Sequence, residues 1–292
     1  MHSKEEKLEA FGRLLDVQER LRKECPWDRK QTYESLRPNT IEEVFELCDA
    51  LMKDDRKEIC KELGDVMEHV VLYSIMGEET DDFDVADVCN HQADKLMFRH
   101  DFIDWSNWTV TDPNLEIDKN GHVNYKGQKQ VTEDNPQSAS QVESSWEQRK
   151  QLERDGNKTV LSGVPDALPS IIKAYRIQDK ARNVGFDWKH KEDVWDKVRE
   201  ELAELEVELN AGNEKRSTEE LGDFLFSIIN AARLYHLNPD NALEHTNRKF
   251  INRFNYIEKK AKALGKNIKD MTLEEMDKYW DEAKAIQKGD SC

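Results

Sequence analysis

Glu42, Glu43 and Glu46, then Glu62 and Asp65, are repeated 158 residues later as Glu200, Glu201 and Glu204, then Glu220 and Asp223. Each copy reads E-E-x-x-E, a gap of 15 residues, and E-L-G-D. Glutamates four apart on a helix stand one turn from each other, and Glu220 with Asp223, like Glu62 with Asp65, are i,i+3 neighbours on a second helix. Antiparallel packing of the two helices brings four or five carboxylates to one spot. Such a group repels itself unless a divalent cation sits in it, and an oxygen-only donor set favours a hard ion, Mg²⁺ with Mn²⁺ as a substitute. The competing reading is a solvated acidic face, with Glu220 closing a Ser217-x-x-Glu220 capping box. Two unrelated solvated faces have no reason to keep five acids in one register. Glu43, Glu46, Glu62 and Asp65 in the first half, and Glu201, Glu204, Glu220 and Asp223 in the second, are therefore expected to be metal ligands.

Lys249 and Arg253 are spaced i,i+4, and Lys95 and Arg99 repeat the pair in the first half. Spacing alone leaves two readings level: an ordinary cationic helix face, or a clamp on polyphosphate oxygens opposite the metal. Trp27-Asp28 and Asp187-Trp188 precede the two acidic helices. Trp188 is a loop anchor or the wall of a nucleobase site, and Trp280 near the C-terminus is a packing residue or a ligand contact. Gly64 and Gly222 fall mid-helix, where glycine costs about 1 kcal/mol against alanine. Their recurrence points to close helix approach beneath the metal. None of the eight histidines follows a glutamate by three residues, which removes the usual di-iron carboxylate pattern, and no P-loop, G-x-S-x-G or H-E-x-x-H is present.

The elements that must carry these residues are helices. In the first half Leu8, Phe11, Leu14, Leu15 and Leu21 form one helical stripe, and Leu36, Ile41, Val44, Leu47 and Leu51 a second that runs through E-E-x-x-E. Leu63, Val66, Met67, Val70 and Val71 follow on the E-L-G-D helix, after Asp54-Asp55 turns the chain, and a last helix covers roughly residues 84 to 103. The second half repeats the order with Ile171 to Ile177, Val194 to Leu209, the Gly212-Asn213 turn, Leu221 to Ile229, a helix over 239 to 263 and another from Met271 to Lys284. Between the halves, Asn120-Gly121 inside an alternating stretch signals a type I′ hairpin, and 137 to 145 reads as a polar, mobile loop.

The 292 residues fit two domains. A 37% hydrophobic share with 36% charged residues suits helical bundles with solvated faces. A net charge of −17 excludes a general nucleic-acid or acidic-membrane binder, and requires metal before an anionic substrate can enter the acidic clusters. Five cysteines without C-x-x-C, a charged N-terminus and the lack of a long apolar run point to a reducing, cytoplasmic setting with no membrane span.

These residues resemble the MazG nucleoside triphosphate pyrophosphohydrolases. Cys25-Pro26-Trp27-Asp28, Gln31-Thr32 and Ser35-Leu36 look like the family's N-terminal signature, and Gly163-Val164-Pro165 with Leu168-Pro169 like the entry to its second domain. Val184 to Trp188, Lys249-Phe250-x-x-Arg253-Phe254, and Leu273 to Met276 with Trp280 match the later motifs. Tyr33 in place of a usual histidine, Arg37-Pro38-Asn39 interrupting the approach to the first acidic helix, Arg99-His100-Asp101 and a long segment from about 104 to 140 depart from the pattern. The departures gather in the first half and make the second the principal catalyst. The resemblance implies an all-α fold, and the internal repeat divides the chain into two tandem helical-bundle domains, 1–105 and 161–292, joined by a linker over 106–160 that holds the small β-hairpin. It implies Mg²⁺-dependent hydrolysis of nucleoside triphosphates to monophosphate and pyrophosphate with broad, house-cleaning specificity. It also implies a homodimer in which helices of both subunits frame the sites. Within it Glu200 is placed as the group that takes the proton of water, Lys249 and Arg253 as phosphate ligands, and Lys95, Arg99, Trp188 and Trp280 as substrate contacts. The rivals are a pyrophosphatase narrow for one nucleotide such as dUTP, and a nucleotide-sensing or protein-binding module that turns nothing over.

Overall fold

The structure, a computed structural model, describes residues 1–127, 138–153 and 159–289, and divides into two compact units, Met1–Arg149 and Lys150–Cys292. The first unit contains α1 (Lys4–Glu24), α2 (Tyr33–Lys53), α3 (Arg56–Glu78), α4 (Val85–Arg99), the strands β1 (Leu115–Ile117) and β2 (Val123–Tyr125), and most of α5 (Ala139–Leu152). The second contains α6 (Ser170–Asn183), α7 (Val194–Ala211), α8 (Glu214–Leu234), α9 (Pro239–Ala263) and α10 (Leu273–Gly289). The fold is all-α with one two-stranded sheet among the described residues.

The acidic helices form two helical hairpins, α2 on α3 and α7 on α8. Each hairpin turns at a residue in the left-handed region, Asp54 (φ 53°) and Gly212 (φ 67°). The next helix is then capped by a side chain: Asp55 accepts from the amides of Lys57 and Glu58, and Asn213 from Arg216. Asn213 therefore starts α8, and the Ser217 amide donates to the Asn213 carbonyl inside the helix. Glu220 lies beyond the first turn and is released from the capping role that Ser217-x-x-Glu220 had suggested.

The hairpins are each held by a small apolar core, and Leu36 with Val194 and Met76 with Leu234 occupy matching positions in the two. Leu36, Leu72 and Met76 are buried in the first unit, and Val194, Val198 and Ala231 in the second, where Leu234 occupies the place of Met76. Burying each large aliphatic side chain contributes about 1.5–3 kcal/mol. A third cluster, Ile257, Ala261 and Met271 with Trp280 packed on it, joins α9 to α10.

Five expectations are corrected. Pro38 does not interrupt the approach to the acidic residues: α2 runs through it from Tyr33, because a capping box between Thr32 and Ser35 starts the helix and Pro38 forfeits only one backbone bond early on. The fourth helix ends at Arg99 instead of continuing to 103. The hairpin turn is not type I′. Asp118 to Gly121 closes with the Gly121 amide on the Asp118 carbonyl at 3.0 Å, and only Gly121 (φ 83°) is left-handed. The Asp118 carboxylate accepts from the Asn120 and His122 amides, so a three-residue loop with a glycine bulge replaces the tighter turn. Residues 139 to 145, read as a loop, begin α5, while Gln137 lies outside the described residues. That helix is anchored by Arg149, which is 3% exposed, donates to the carbonyls of Phe98 (2.8 Å) and Val123 (2.7 Å), and pairs with Asp101 at 3.1 Å. Finally, a Cβ built on Gly64 or Gly222 meets nothing within 4 Å, so neither glycine marks a close helix approach within the chain.

Candidate functional site

In the second unit, α7 presents Glu201 and Glu204 one turn apart and α8 brings Glu220 to meet them. One carboxylate oxygen from each lies within 4.8 Å of the others. Opposite ligands of an octahedral Mg²⁺ lie about 4.2 Å apart, so the three need only small side-chain shifts to share one ion. Asp223 stands just outside this triad, near enough to act on Glu220, and borders the cleft beside it. Glu200 also stands outside. Its side chain is half exposed, and Lys197 Nζ holds Glu200 at 3.0 Å and Glu201 at 2.7 Å. These two hydrogen bonds, that to Glu201 first, keep the Lys197 ammonium charged to well above the usual lysine range.

The first unit assembles Glu43 of α2 with Glu62 and Asp65 of α3, so here one acid comes from the first helix of the hairpin and two from the second. Glu62 is 1% exposed. Its Oε1 accepts from Lys61 Nζ at 2.7 Å, and its Oε2 is buried with no partner. An orphaned carboxylate oxygen inside an all-oxygen donor set fits a hard divalent cation. Glu46 is not in that triad and faces the other side of Glu62, where the lining residues are mostly acidic. Each cluster therefore carries one lysine, but from different helices: Lys61 from α3, Lys197 from α7. Asn39 takes the register of Lys197, and Glu219 that of Lys61.

Packing carboxylates together shifts their titration. Burial pushes the Glu220 carboxyl above the usual range, aided by Glu204, Asp223, Glu201 and Glu208. Burial likewise raises Glu43, aided by Asp65, Glu46 and Glu62 and opposed by His69. A carboxyl whose folded pKa is raised stabilises the fold only while protonated. That contribution is complete below the unfolded pKa and is lost as pH rises through the folded one. The metal-free protein is thus expected to lose stability in this window and to regain it with Mg²⁺ at neutral pH. At a hundredfold excess over Kd, mass action gives roughly 2.7 kcal/mol, or about 5–10 °C in Tm. Thermal melts between pH 4 and 8, with and without Mg²⁺, check this, and an unchanged midpoint at pH 7 would count against the metal site.

The concave surfaces differ between units. The first offers about 160 Å³ beside Glu43 and Asp65, lined by Trp27, Asn39 and His69, and about 590 Å³ on the acidic side of Glu46. The second offers a cleft of about 820 Å³ between α6, the loop after it, α7 and α8, with Glu201 and Asp223 on one wall. Phe186 and Trp188 supply aromatic faces, and Lys189, Lys197 and Arg233 positive charge. Arg233, 5% exposed, pairs with Asp187 and fixes the aromatic loop to α8. Trp188 lines the cleft and is 38% exposed.

Other expected site residues are elsewhere. Lys249 is exposed on α9. Arg253 donates to Gln287 Oε1 at 2.8 Å and lies 5.3 Å over the Trp280 ring. Trp280 also packs on Phe250. None of the three borders the 820 Å³ cleft of its own unit. Lys95 and Arg99 are half-buried on α4, away from the lining of either first-unit concavity. The sequence reading missed Lys61, Lys197, Arg233 and His69. His69 could have been found as the i+4 neighbour of Asp65; it lines the first-unit cleft with its Nδ1 on Thr40 at 2.8 Å.

A family model described as the MazG nucleotide pyrophosphohydrolase domain matches twice, at residues 31–103 and 190–257. The chain is 34% identical over 277 residues to the nucleoside triphosphate pyrophosphohydrolase/pyrophosphatase MazG of Thermotoga maritima, covering 94% of this chain and 95% of that protein. It is 33% identical over 284 residues to the nucleoside triphosphate pyrophosphohydrolase of Escherichia coli K12, covering 95% and 98%. The Bacillus subtilis protein YabN is 37% identical over 98% of this chain, which spans 54% of YabN. No described helix is long and apolar enough to cross a membrane.

Proposed function

The chain belongs to the MazG family of nucleotide pyrophosphohydrolases, and from that membership we propose that its second unit hydrolyses nucleoside triphosphates, broadly across bases, to monophosphate and pyrophosphate with Mg²⁺. One observation carries the choice of unit: the carboxylate triad of α7 and α8 shares Glu201 with a cleft of nucleotide size, lined by both aromatic and cationic side chains. The first unit has its triad, but its neighbouring 160 Å³ cleft is too small for a nucleotide and its 590 Å³ concavity is acidic.

Glu201, Glu204, Glu220 and Asp223 would hold Mg²⁺, with Mn²⁺ as a substitute; Glu43, Glu46, Glu62 and Asp65 are the corresponding set in the first unit. The bound ion would draw charge from the phosphate oxygens and make a coordinated water a better nucleophile. Glu200, outside the triad and paired with Lys197, would accept the proton of the attacking water. Trp188 and Phe186 would stack the base. Lys189 and Lys197 offset the acidic potential that otherwise repels a triphosphate.

Lys249, Arg253 and Trp280 fit this scheme through a second copy of the chain. The helices around the triad leave apolar side chains in solvent: Leu225 is 52% exposed on α8, Val207 64% on α7, and Phe250 56% on α9. Apolar exposure on this scale favours association. A homodimer that covers it would let α9 of one subunit supply its cations to the phosphates held by the other. In the first unit, Lys95 and Arg99 on α4 would serve in the same manner. A reducing, cytoplasmic setting suits the free cysteines.

The test is pyrophosphate release from ATP, GTP, CTP, UTP and their deoxy forms, with and without Mg²⁺. Release from most of them, abolished by a chelator, is the expected result. Release from one nucleotide alone would make the enzyme a narrow one. Tight binding with no release would make it a sensor.

A further inference from the structure

One residue that borders the second-unit cleft keeps a buried polar atom without a partner. Gln178 on α6 borders the cleft and is 6% exposed. Its Nε2 donates to the Phe226 carbonyl on α8 at 2.8 Å, which fixes the orientation of the amide. The other end, Oε1, is buried and has no partner. A buried acceptor left unpaired costs about 1–3 kcal/mol, so natural cores rarely keep one without a reason. A glutamine recurs at the matching place of the first unit. Val17-Gln18-Glu19-Arg20-Leu21-Arg22 parallels Ile177-Gln178-Asp179-Lys180-Ala181-Arg182. Gln18 is 2% exposed and also keeps an unpaired amide atom, there the nitrogen. Packing alone would be met better by methionine or leucine, yet both units hold a buried amide.

We propose that Gln178 is a substrate-selecting residue whose Oε1 accepts a hydrogen bond from the nucleoside part of the nucleotide. The inference rests on the reading that this cleft takes a nucleotide. Because Nε2 is committed to Phe226, Oε1 can only accept, and its partner must be an N–H or O–H donor. Nucleosides carry such donors on the exocyclic amine or ring imide of the base and on the ribose hydroxyls. Phosphate oxygens, which only accept, are excluded. The position agrees: Gln178 borders the same cleft as Trp188 and Phe186, whose rings would hold the base, and the cations that would meet the phosphates lie on α7 and in the loop. A site built around an unpaired acceptor penalises a ligand that lacks the donor, because that ligand leaves the oxygen buried and unsatisfied.

Nucleoside monophosphates test this without turnover, since they retain the whole nucleoside. Calorimetric Kd values would be measured for AMP, 2′-deoxy-AMP, 3′-deoxy-AMP and purine riboside monophosphate, which lacks the 6-amino group, with Mg²⁺ present. Wild-type protein is expected to bind one of the three analogues about 5- to 150-fold more weakly than AMP. The analogue affected tells whether the donor is on the sugar or on the base. In Gln178→Met, which matches glutamine in length and removes the acceptor, that difference should shrink to within about threefold. Gln178→Asn, which withdraws the oxygen by one methylene, serves if the methionine variant does not fold. Equal affinities for all four ligands in wild type overturn the proposal, as does a selectivity that survives unchanged in the variants. Absence of triphosphate hydrolysis would instead strike at the catalytic reading, and monophosphate selectivity would still decide the role of Gln178.

Discussion

Glu201→Gln combined with Glu204→Gln is expected to abolish triphosphate hydrolysis while the protein stays folded. Both carboxylates belong to the triad, and Glu201 is the member that also faces the cleft. Glutamine keeps the shape of each side chain and an oxygen for Lys197, but it removes the two charges that would hold a cation against water. Metal assistance is worth several kcal/mol at a phosphoanhydride, and each 1.36 kcal/mol is a factor of ten. Turnover should therefore fall by about 10³ or more. The same changes relieve repulsion among packed carboxylates, so the metal-free variant should melt no lower than wild type and should no longer respond to Mg²⁺. Steady-state pyrophosphate release and thermal melts read both effects. Matching changes at Glu43 and Glu46 should leave most of the activity in place. If those two abolish it and the Glu201/Glu204 pair does not, the first unit is the catalyst.

Arg253→Ala should lower kcat/KM by about 10²–10³ for every nucleotide, the usual loss when one donor to a charge-developing oxygen is removed. Lys249→Ala should act in the same direction, and neither should change the ratio of purine to pyrimidine substrates. The position of Arg253 sharpens this expectation. Within its own chain it bonds Gln287 and lies over Trp280, away from the carboxylate cleft. A purely structural role would cost only a hydrogen bond and a cation–π contact, about 1 kcal/mol each, in stability, with rates within threefold of wild type. A role at the phosphates of a partner subunit predicts complementation. Arg253→Ala mixed with the Glu201/Glu204 double variant should regain about a quarter of wild-type activity. Half of randomly assorted dimers would be mixed, each with one site that has both its acids and its arginine. Full activity of Arg253→Ala alone would retire the clamp, and no recovery on mixing would place the arginine in its own subunit's site.

What the sequence determined by itself was whatever depends on neighbours along the helix. The 3.6-residue stripes located the helices, and Gly212-Asn213 and Asp54-Asp55 located the two hairpin turns. The repeat aligns Gly212-Asn213 with Asp54-Asp55, which puts the start of α8 at Asn213 rather than Ser217, where the structure has it. The i,i+3 and i,i+4 spacing of the acids, repeated in register, was enough to anticipate that Glu43, Glu62 and Asp65 would meet, and Glu201, Glu204 and Glu220 likewise.

Distances across elements were decided only by the tertiary structure. Glu46 and Asp223 fit the spacing as well as their neighbours and stand outside their triads, although their counterparts in the other unit, Glu204 and Asp65, are inside; helix register is the same in both, so side-chain placement in each hairpin decides which acids meet. Pro38 looked disruptive because its cost is local and known, but the capping box at Thr32 and the burial of Leu36 keep α2 intact. The stretch read as a loop folds as α5 because Arg149 finds Asp101 and two carbonyls that are far away in the chain. The cleft within the second unit arises from α6, its following loop, α7 and α8 together, and Gln178 gains its unpaired oxygen only there. Chain-local rules fix which residues share a helix face. Only packing fixes what that face looks at, because contact between elements depends on helix rotation and separation that no short-range pattern encodes.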